Sequence, residues 1–198
     1  MGQRLNIEIT HDSKCLANCY YHWSGYSSSA ARLTDIIINS YFDKEEEYIN
    51  TDFTSFDIFA VELLKSTGAR LDKRELERYK KYYNHEECPS RNSGIIGVSE
   101  DIMNETRKWE EARVTIDLKH ETVDFCAVYF DDEESYDDWR DDDSLPFSEL
   151  PIADMRVSGI IGFDDFHNVA EYIEDAASSG RYYFKEFEED TECISLIE

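Results

Sequence analysis

Residues 91–97 read Arg-Asn-Ser-Gly-Ile-Ile-Gly and residues 156–162 read Arg-Val-Ser-Gly-Ile-Ile-Gly, 65 positions apart. An internal repeat constrains a fold strongly, because both copies must be compatible with one supersecondary unit. The flanks extend the match. Each copy runs into an acidic helix start, "VSEDIMNETRKWEE" in the first and "FDDFHNVAEYIEDAASSG" in the second. Ser99 in one, and Asp164 or Asp165 in the other, are the predicted N-caps, with acids in the first turn where the helix dipole favours them. Ile102, Thr106 and Trp109 share one helical face; Phe166, Val169, Ala170 and Ile173 form the stripe of the second helix, and Gly180 is its predicted stop.

Each helix leads into a predicted β-hairpin. The first covers 113–130, where Val114, Ile116 and Leu118 alternate with Thr115, Asp117 and Lys119 at the period of a half-buried strand. The second covers 181–198, with a less regular alternation. The N-terminus supplies a third. "RLNIEITHDS" from Arg4 aligns with "RVTIDLKHET" from Arg113 at ten consecutive positions, so a hairpin is expected at 4–22, followed by a helix carrying Leu33, Ile36, Ile37 and Ser40. The expected fold class is α+β: repeated helix plus β-hairpin units forming antiparallel sheet, in one layer or two related lobes, with a helical insertion.

Three regions follow: 1–42, an N-terminal hairpin and helix; 43–92, a helical insertion; and 93–198, which holds both Ser-Gly-Ile-Ile-Gly units. In the insertion, Phe56, Phe59, Ala60, Leu63 and Leu64 share a face that ends at Gly68. A second helix is predicted after an Asp72 N-cap, with Leu76, Tyr79, Lys80 and Tyr83 in register. Lys65, Arg70, Lys73, Arg74, Arg78, Lys80 and Lys81 make 65–81 the one basic stretch, read either as a solvated face of Glu/Lys pairs or as a second contact surface.

Charge separates the halves. The chain has 198 residues, 20 Lys and Arg against 45 Asp and Glu, and a net charge of −25. Residues 1–98 carry net −3 and residues 99–198 carry net −22. Such density destabilises a compact state by self-repulsion and exceeds what solubility needs. The longest irregular stretch, 131–154, holds Asp131, Asp132, Glu133, Glu134, Asp137, Asp138, Asp141, Asp142 and Asp143, interrupted by Tyr136 and Trp139. Glu186, Glu188, Glu189 and Asp190 form a second acidic patch.

Several chemistries lack their motifs. Ser-Gly-Ile-Ile-Gly has neither the spacing of a phosphate-binding P-loop nor its Lys, so it reads as a short apolar segment entering a helix. No nucleophile elbow, dinucleotide fingerprint or metalloprotease helix is present. Residues 131–143 are oxygen-rich but have no Gly and none of the order of an EF-hand loop. Cys15, Cys19, His85 and Cys88 do not keep the gaps of a zinc finger. His11 and His120 occupy matching hairpin turns. No catalytic residues, cofactor or metal site is assigned. Five Cys without a dense framework suit a reducing compartment, and no apolar run of membrane-spanning length or signal peptide is visible.

Duplex DNA carries one negative charge per roughly 1.7 Å of axis, and its binding proteins meet it with Lys/Arg arrays. A folded carboxylate array with aromatic anchors addresses the same arrays. The runs "MGQRLNIEI" and "LANCYYHWSGYSSSA" resemble small acidic proteins of phages and prophages of Gram-positive bacteria. That resemblance, which covers about an eighth of the chain and carries no catalytic motif, implies an anti-CRISPR type of host-defence antagonist. The implied target is Cas9 with its guide RNA, whose groove reads PAM with arginines and holds the duplex backbone. The expectation is a basic nucleic-acid-binding protein as partner, in the host cytoplasm, with no direct nucleic-acid or membrane binding and with a homodimer left open. Three rivals stand beside it. One is an anti-defence protein that sequesters a small signalling ligand in a pocket of Tyr20, His22, Trp23 and Tyr26, with Arg32 nearby. The second is a metal-dependent enzyme using clustered acids, and the third a structural phage component.

Overall fold

The fold is that of a computed structural model describing residues 4–50, 56–83, 93–108, 110–128 and 156–178. Seven strands form one sheet: β1 (Leu5–His11), β2 (Lys14–Tyr21), β3 (Arg70–Leu71), β4 (Ile95–Gly97), β5 (Ala112–Asp117), β6 (Thr122–Val128) and β7 (Arg156–Gly162). Their spatial order is β3-β4-β2-β1-β5-β6-β7. The described helices are α1 (Ser27–Asn50), α2 (Phe56–Lys65), α3 (Lys73–Arg78), α4 (Lys80–Tyr83), α5 (Glu100–Arg107) and α6 (Phe163–Ser178). The class is α+β, as the repeat pattern predicts.

Two of the three expected hairpins are present, β1/β2 and β5/β6, both antiparallel. Asp12 and Ser13 close the first with φ of 52° and 62°, the left-handed pair that matches the twist of the flanking strands. The hairpin expected at 181–198 lies outside the described residues, as do Trp109 and Gly180. The sheet is not wholly antiparallel. β1 and β5 pair in parallel, Leu5 beside Ala112, and so do β3 and β4. A parallel pair needs a long crossover, which the chain between β2 and β5 supplies through α1–α5. The register is offset by two from the Arg4/Arg113 alignment; an even offset keeps every side chain on its expected face.

Directly paired residues point to the same face of a sheet. On one face lie Leu5, Ile7 and Ile9 with Ala17, Cys19, Tyr21, Ile96, Val114, Ile116, Val123 and Phe125, all buried. α1, α2 and α6 cover it with Ile37, Tyr41, Phe59, Leu63, Phe166, Val169 and Ile173, which join the same core. The other face carries Asn6, Glu8 and Thr10 of β1, Asn18 and Tyr20 of β2, and Arg113 and Thr115 of β5. α5 lies on it. β1 is therefore buried on both sides, and polar groups of this face are bonded to α5 and the chain after it: Glu8 accepts from Arg107 Nε at 2.5 Å, Asn18 Nδ2 of β2 donates to Thr106 Oγ1 at 2.8 Å, and Asn6 Nδ2 donates to Glu110 at 3.1 Å, while Asn6 Oδ1 and Asn18 Oδ1 have no partner among the described residues. Most buried polar groups have such partners.

Both Ser-Gly-Ile-Ile-Gly copies form strands leading into helices. In each, the second Ile is buried (Ile96, Ile161), while Ile95 is half-buried and Ile160 is 52% exposed. The period of a strand puts only one of two neighbours in the core. Ser99 is the N-cap residue of α5, but its hydroxyl makes no capping bond and donates to Glu75 instead. α6 begins at Phe163, so Asp164 and Asp165 are first-turn residues rather than caps. In 43–92, α2 buries Phe59, Ala60, Leu63 and Leu64 as expected, but also Val61; Phe56 is exposed. Gly68 (φ 89°) follows α2. The single helix expected after Asp72 is two short ones broken at Tyr79, and Arg70–Leu71 ahead of it pairs with β4 as edge strand β3. Asp72 does cap α3, accepting from Arg74 N at 2.8 Å.

Candidate functional site

The acidic candidates Asp131, Asp132, Glu133, Glu134, Tyr136, Asp137, Asp138, Trp139, Asp141, Asp142 and Asp143, and Glu186, Glu188, Glu189 and Asp190, lie outside the described residues. The scaffold fixes where the chain carrying them leaves and returns. Residues 129–155 follow β6 and precede β7, and Val128 pairs with Arg156. Both ends of that stretch are thus held at adjacent points of one sheet edge. It contains 11 acids and one base.

α6 sets the other attachment. The Tyr41 ring packs on Phe163 with centroids 5.2 Å apart, and His167 Nδ1 lies 3.1 Å from Asp35. Moving forward along α6 is therefore moving backward along α1. Helix and strand are of similar length, about 24 Å for sixteen helical residues and about 23 Å for seven extended ones. α6 accordingly returns to the end of the sheet where β7 starts, and residues 179–198 leave from there.

The opposite edge is basic. α3 and α4 beside β3 carry Lys73, Arg74, Arg78, Lys80 and Lys81. Much of this charge is locally paired: Arg74 with Asp72 and Glu105, Lys80 with Glu77 at 3.7 Å, and Lys65 with Glu62 at 3.8 Å while stacked 4.2 Å over Tyr83. Arg74 joins this edge to the 99–198 half through Glu105. Across the whole chain the described residues carry 25 acids and 16 bases, and the remainder 20 acids and four bases. The described residues therefore carry net −9 and the remainder net −16, of which 129–155 and 179–198 hold −14.

A cavity of about 440 Å³ opens on the polar face, lined by Arg4, Tyr20, His22, Asp72, Arg74, Ile95, Glu105 and Thr106. It brings together Tyr20 and His22 of the expected ligand pocket, with Tyr20 OH 2.7 Å from His22 Nδ1. Trp23 packs edge-on against His22 at 4.9 Å and is 53% exposed; the cationic groups are Arg4 and Arg74, not Arg32. Sequence reasoning missed Arg74 because its position depends on β3 pairing at the sheet edge. Asp72 beside the Arg74 guanidinium is held below the ordinary carboxylate range.

Cys15 and Cys19 do not share a site. The register slips between Ile9 and Thr10, so Cys15 joins Thr10 on the polar face and Cys19 joins Ile7 on the apolar one. A bulge has this effect because one extra residue inverts the alternation. Burial pushes both thiols up to about 12. His85 and Cys88 lie outside the described residues, and among those described no group of His, Cys, Asp and Glu is set to hold a metal. His120 Nδ1 bonds Asp117 at 2.9 Å, and the His11 ring packs on Phe56 at 4.7 Å. No described helix is long and apolar enough to cross a membrane.

No protein-family model, curated protein or solved structure matches the chain.

Proposed function

We propose that the chain is a non-enzymatic, phage-encoded inhibitor of a bacterial defence nuclease. It acts in the host cytoplasm as an acidic DNA mimic that fills the PAM and duplex groove of a type II Cas9 carrying its guide RNA. The observation that supports this most is the separation of charge across the sheet. Both acid-rich stretches join the scaffold at the β7 edge, and the paired basic residues lie at the β3 edge. Six interstrand spacings of about 4.8 Å separate the two edges, roughly 29 Å, several Debye lengths at physiological salt. The basic residues thus lie far from the points where the acid-rich stretch 129–155 leaves and rejoins the sheet, an arrangement that favours engagement of those acids by a cationic cleft. Tyr136 and Trp139 supply the apolar anchors that carboxylates alone lack.

The test is capture of partners from cells that hold type II CRISPR and other defence systems, with the full chain as bait. Retention of Cas9–guide complex, released by competing duplex DNA and by raised salt, is the expected result. Capture that duplex DNA does not displace contradicts mimicry, and activity lost on dialysis against chelator points to the metal-dependent enzyme instead.

A further inference from the structure

We infer that the cavity on the polar face of the sheet is a binding site for a small, uncharged, planar nitrogen heterocycle, the base of a free nucleoside being the type. The site is built from five separate parts of the chain. Tyr20 of β2 and Ile95 of β4 are direct cross-strand neighbours and form its floor. Arg4 enters from ahead of β1, His22 from beyond β2, Asp72 and Arg74 from the head of α3, and Glu105 and Thr106 from α5.

Size, charge and rigidity each narrow the ligand. About 440 Å³ falls within the range of small-molecule pockets and is far more than one ion requires. Two guanidinium groups face two carboxylates, so with His22 neutral the lining has no formal net charge. Nothing in this balance selects an anion or a cation.

The Arg74 guanidinium is fixed in plane by three bonds: Nε to Asp72 Oδ1 at 2.9 Å, Nη2 to Asp72 Oδ2 at 3.1 Å, and Nη1 to Glu105 Oε2 at 2.7 Å. Guanidinium has five N–H donors, so these bonds leave donors to offer a ligand while holding the plane still. Walls already ordered by such bonds cost little to order on binding. A Tyr ring and a rigid guanidinium plane are the surfaces on which flat bases stack. Around them stand a donor (Arg74) and acceptors (Asp72, Glu105 and the Thr106 hydroxyl), the mixed edge that a base with both N–H and ring nitrogen or carbonyl groups satisfies. The inference does not rest on nuclease inhibition.

The test is calorimetric titration of the full chain with adenosine, guanosine, cytidine and uridine, alongside AMP and inorganic phosphate. At least one nucleoside is expected to bind saturably with Kd below about 1 mM, and its 5′-phosphate no more tightly. Tyr20→Leu, which removes the stacking face, is expected to weaken binding about tenfold or more, and Glu105→Gln, at an exposed side chain, about fivefold. If Tyr20→Leu fails to fold, Glu105→Gln decides. Three outcomes overturn the inference: no nucleoside binds in that range, AMP or phosphate binds at least about tenfold tighter than the matching nucleoside, or folded Glu105→Gln binds as wild type. Glu105→Gln is expected to leave capture of Cas9 unchanged, so failure here and failure of the inhibitor reading are separate results.

Discussion

The units β4–α5 and β7–α6 start from the same five residues and end on opposite faces of one sheet. After β4 the chain spends Val98 and Ser99 before α5, and the helix settles on the polar face against Asn18 and Glu8. After β7 it enters α6 at once, and Phe166 packs on Phe125 in the apolar core at 5.9 Å. A repeated pentapeptide thus specifies a strand and a helix start, while the residues that follow decide which face the helix covers. In the first copy the decision is made by Glu75. This buried carboxylate accepts from Val98 N at 3.0 Å, Ser99 N at 2.6 Å and Ser99 Oγ at 2.5 Å, pinning the turn. The second copy has an apolar stripe long enough to reach the core without a pin.

The largest expected effect tests that stripe. Phe166→Ala removes a fully buried ring and is expected to cost about 3–5 kcal/mol in denaturant unfolding; a loss under about 1 kcal/mol contradicts the placement of α6. Next comes the pin. Glu75→Ala leaves two backbone N–H groups and a hydroxyl without their carboxylate, an expected loss of about 2–3 kcal/mol. Hydrogen exchange at Val98 and Ser99 should rise with it, and unchanged protection there refutes the role given to Glu75.

Glycine separates the copies more finely. A Cβ at Gly97 lies 2.9 Å from Ile102 Cγ2 and 3.0 Å from Asn18 Oδ1, whereas one at Gly162 meets, among the described residues, only Asp165 at 3.8 Å. Gly97→Ala is therefore expected to destabilise by about 1–3 kcal/mol and Gly162→Ala to be near neutral; equal effects erase the difference between the copies. The smallest effect concerns the α1–α6 contact. Asp35, hydrogen-bonded to His167, raises the imidazole pKa above its ordinary 6.5, with Glu171 adding to the shift. A raised folded-state pKa contributes stability that is present in full below about 6.5 and is lost as pH rises through the folded value. Proton NMR should place the His167 midpoint above 6.5 and Asp35→Asn should return it; because the ring is exposed, the unfolding midpoint is expected to shift little.

Local pattern accounts for what the sequence reveals. Val114, Ile116 and the alternating polar residues announce β5, the ten-residue match with β1 announces a second hairpin, and Phe166, Val169, Ala170 and Ile173 are all buried as their spacing requires. What sequence conceals is non-local. The parallel joining of β1 and β5, the burial of Asn6 and Asn18 beneath α5, and the recruitment of Arg70–Leu71 as an edge strand depend on residues some 25 to 110 positions away. The slip at Ile9/Thr10, which parts Cys15 from Cys19, has no marker in composition. Two residues of the cavity were legible, Tyr20 and His22 lying two positions apart at the end of β2; Arg4, Arg74 and Glu105 arrive only through the sheet.

We propose that the carboxylates of the stretch 129–155, which leaves and rejoins the sheet at β6 and β7, stand in for DNA phosphates. The most direct test is inhibition of duplex cleavage by a type II Cas9–guide complex, comparing wild type with a chain in which Asp137, Asp138, Asp141, Asp142 and Asp143 are all changed to Lys. The account predicts that wild type blocks cleavage near stoichiometry, that raised salt weakens the block, and that the reversed chain, with an unchanged unfolding midpoint, is at least about 100-fold weaker. A reversed chain that inhibits as well as wild type, or a wild type that never inhibits, contradicts it.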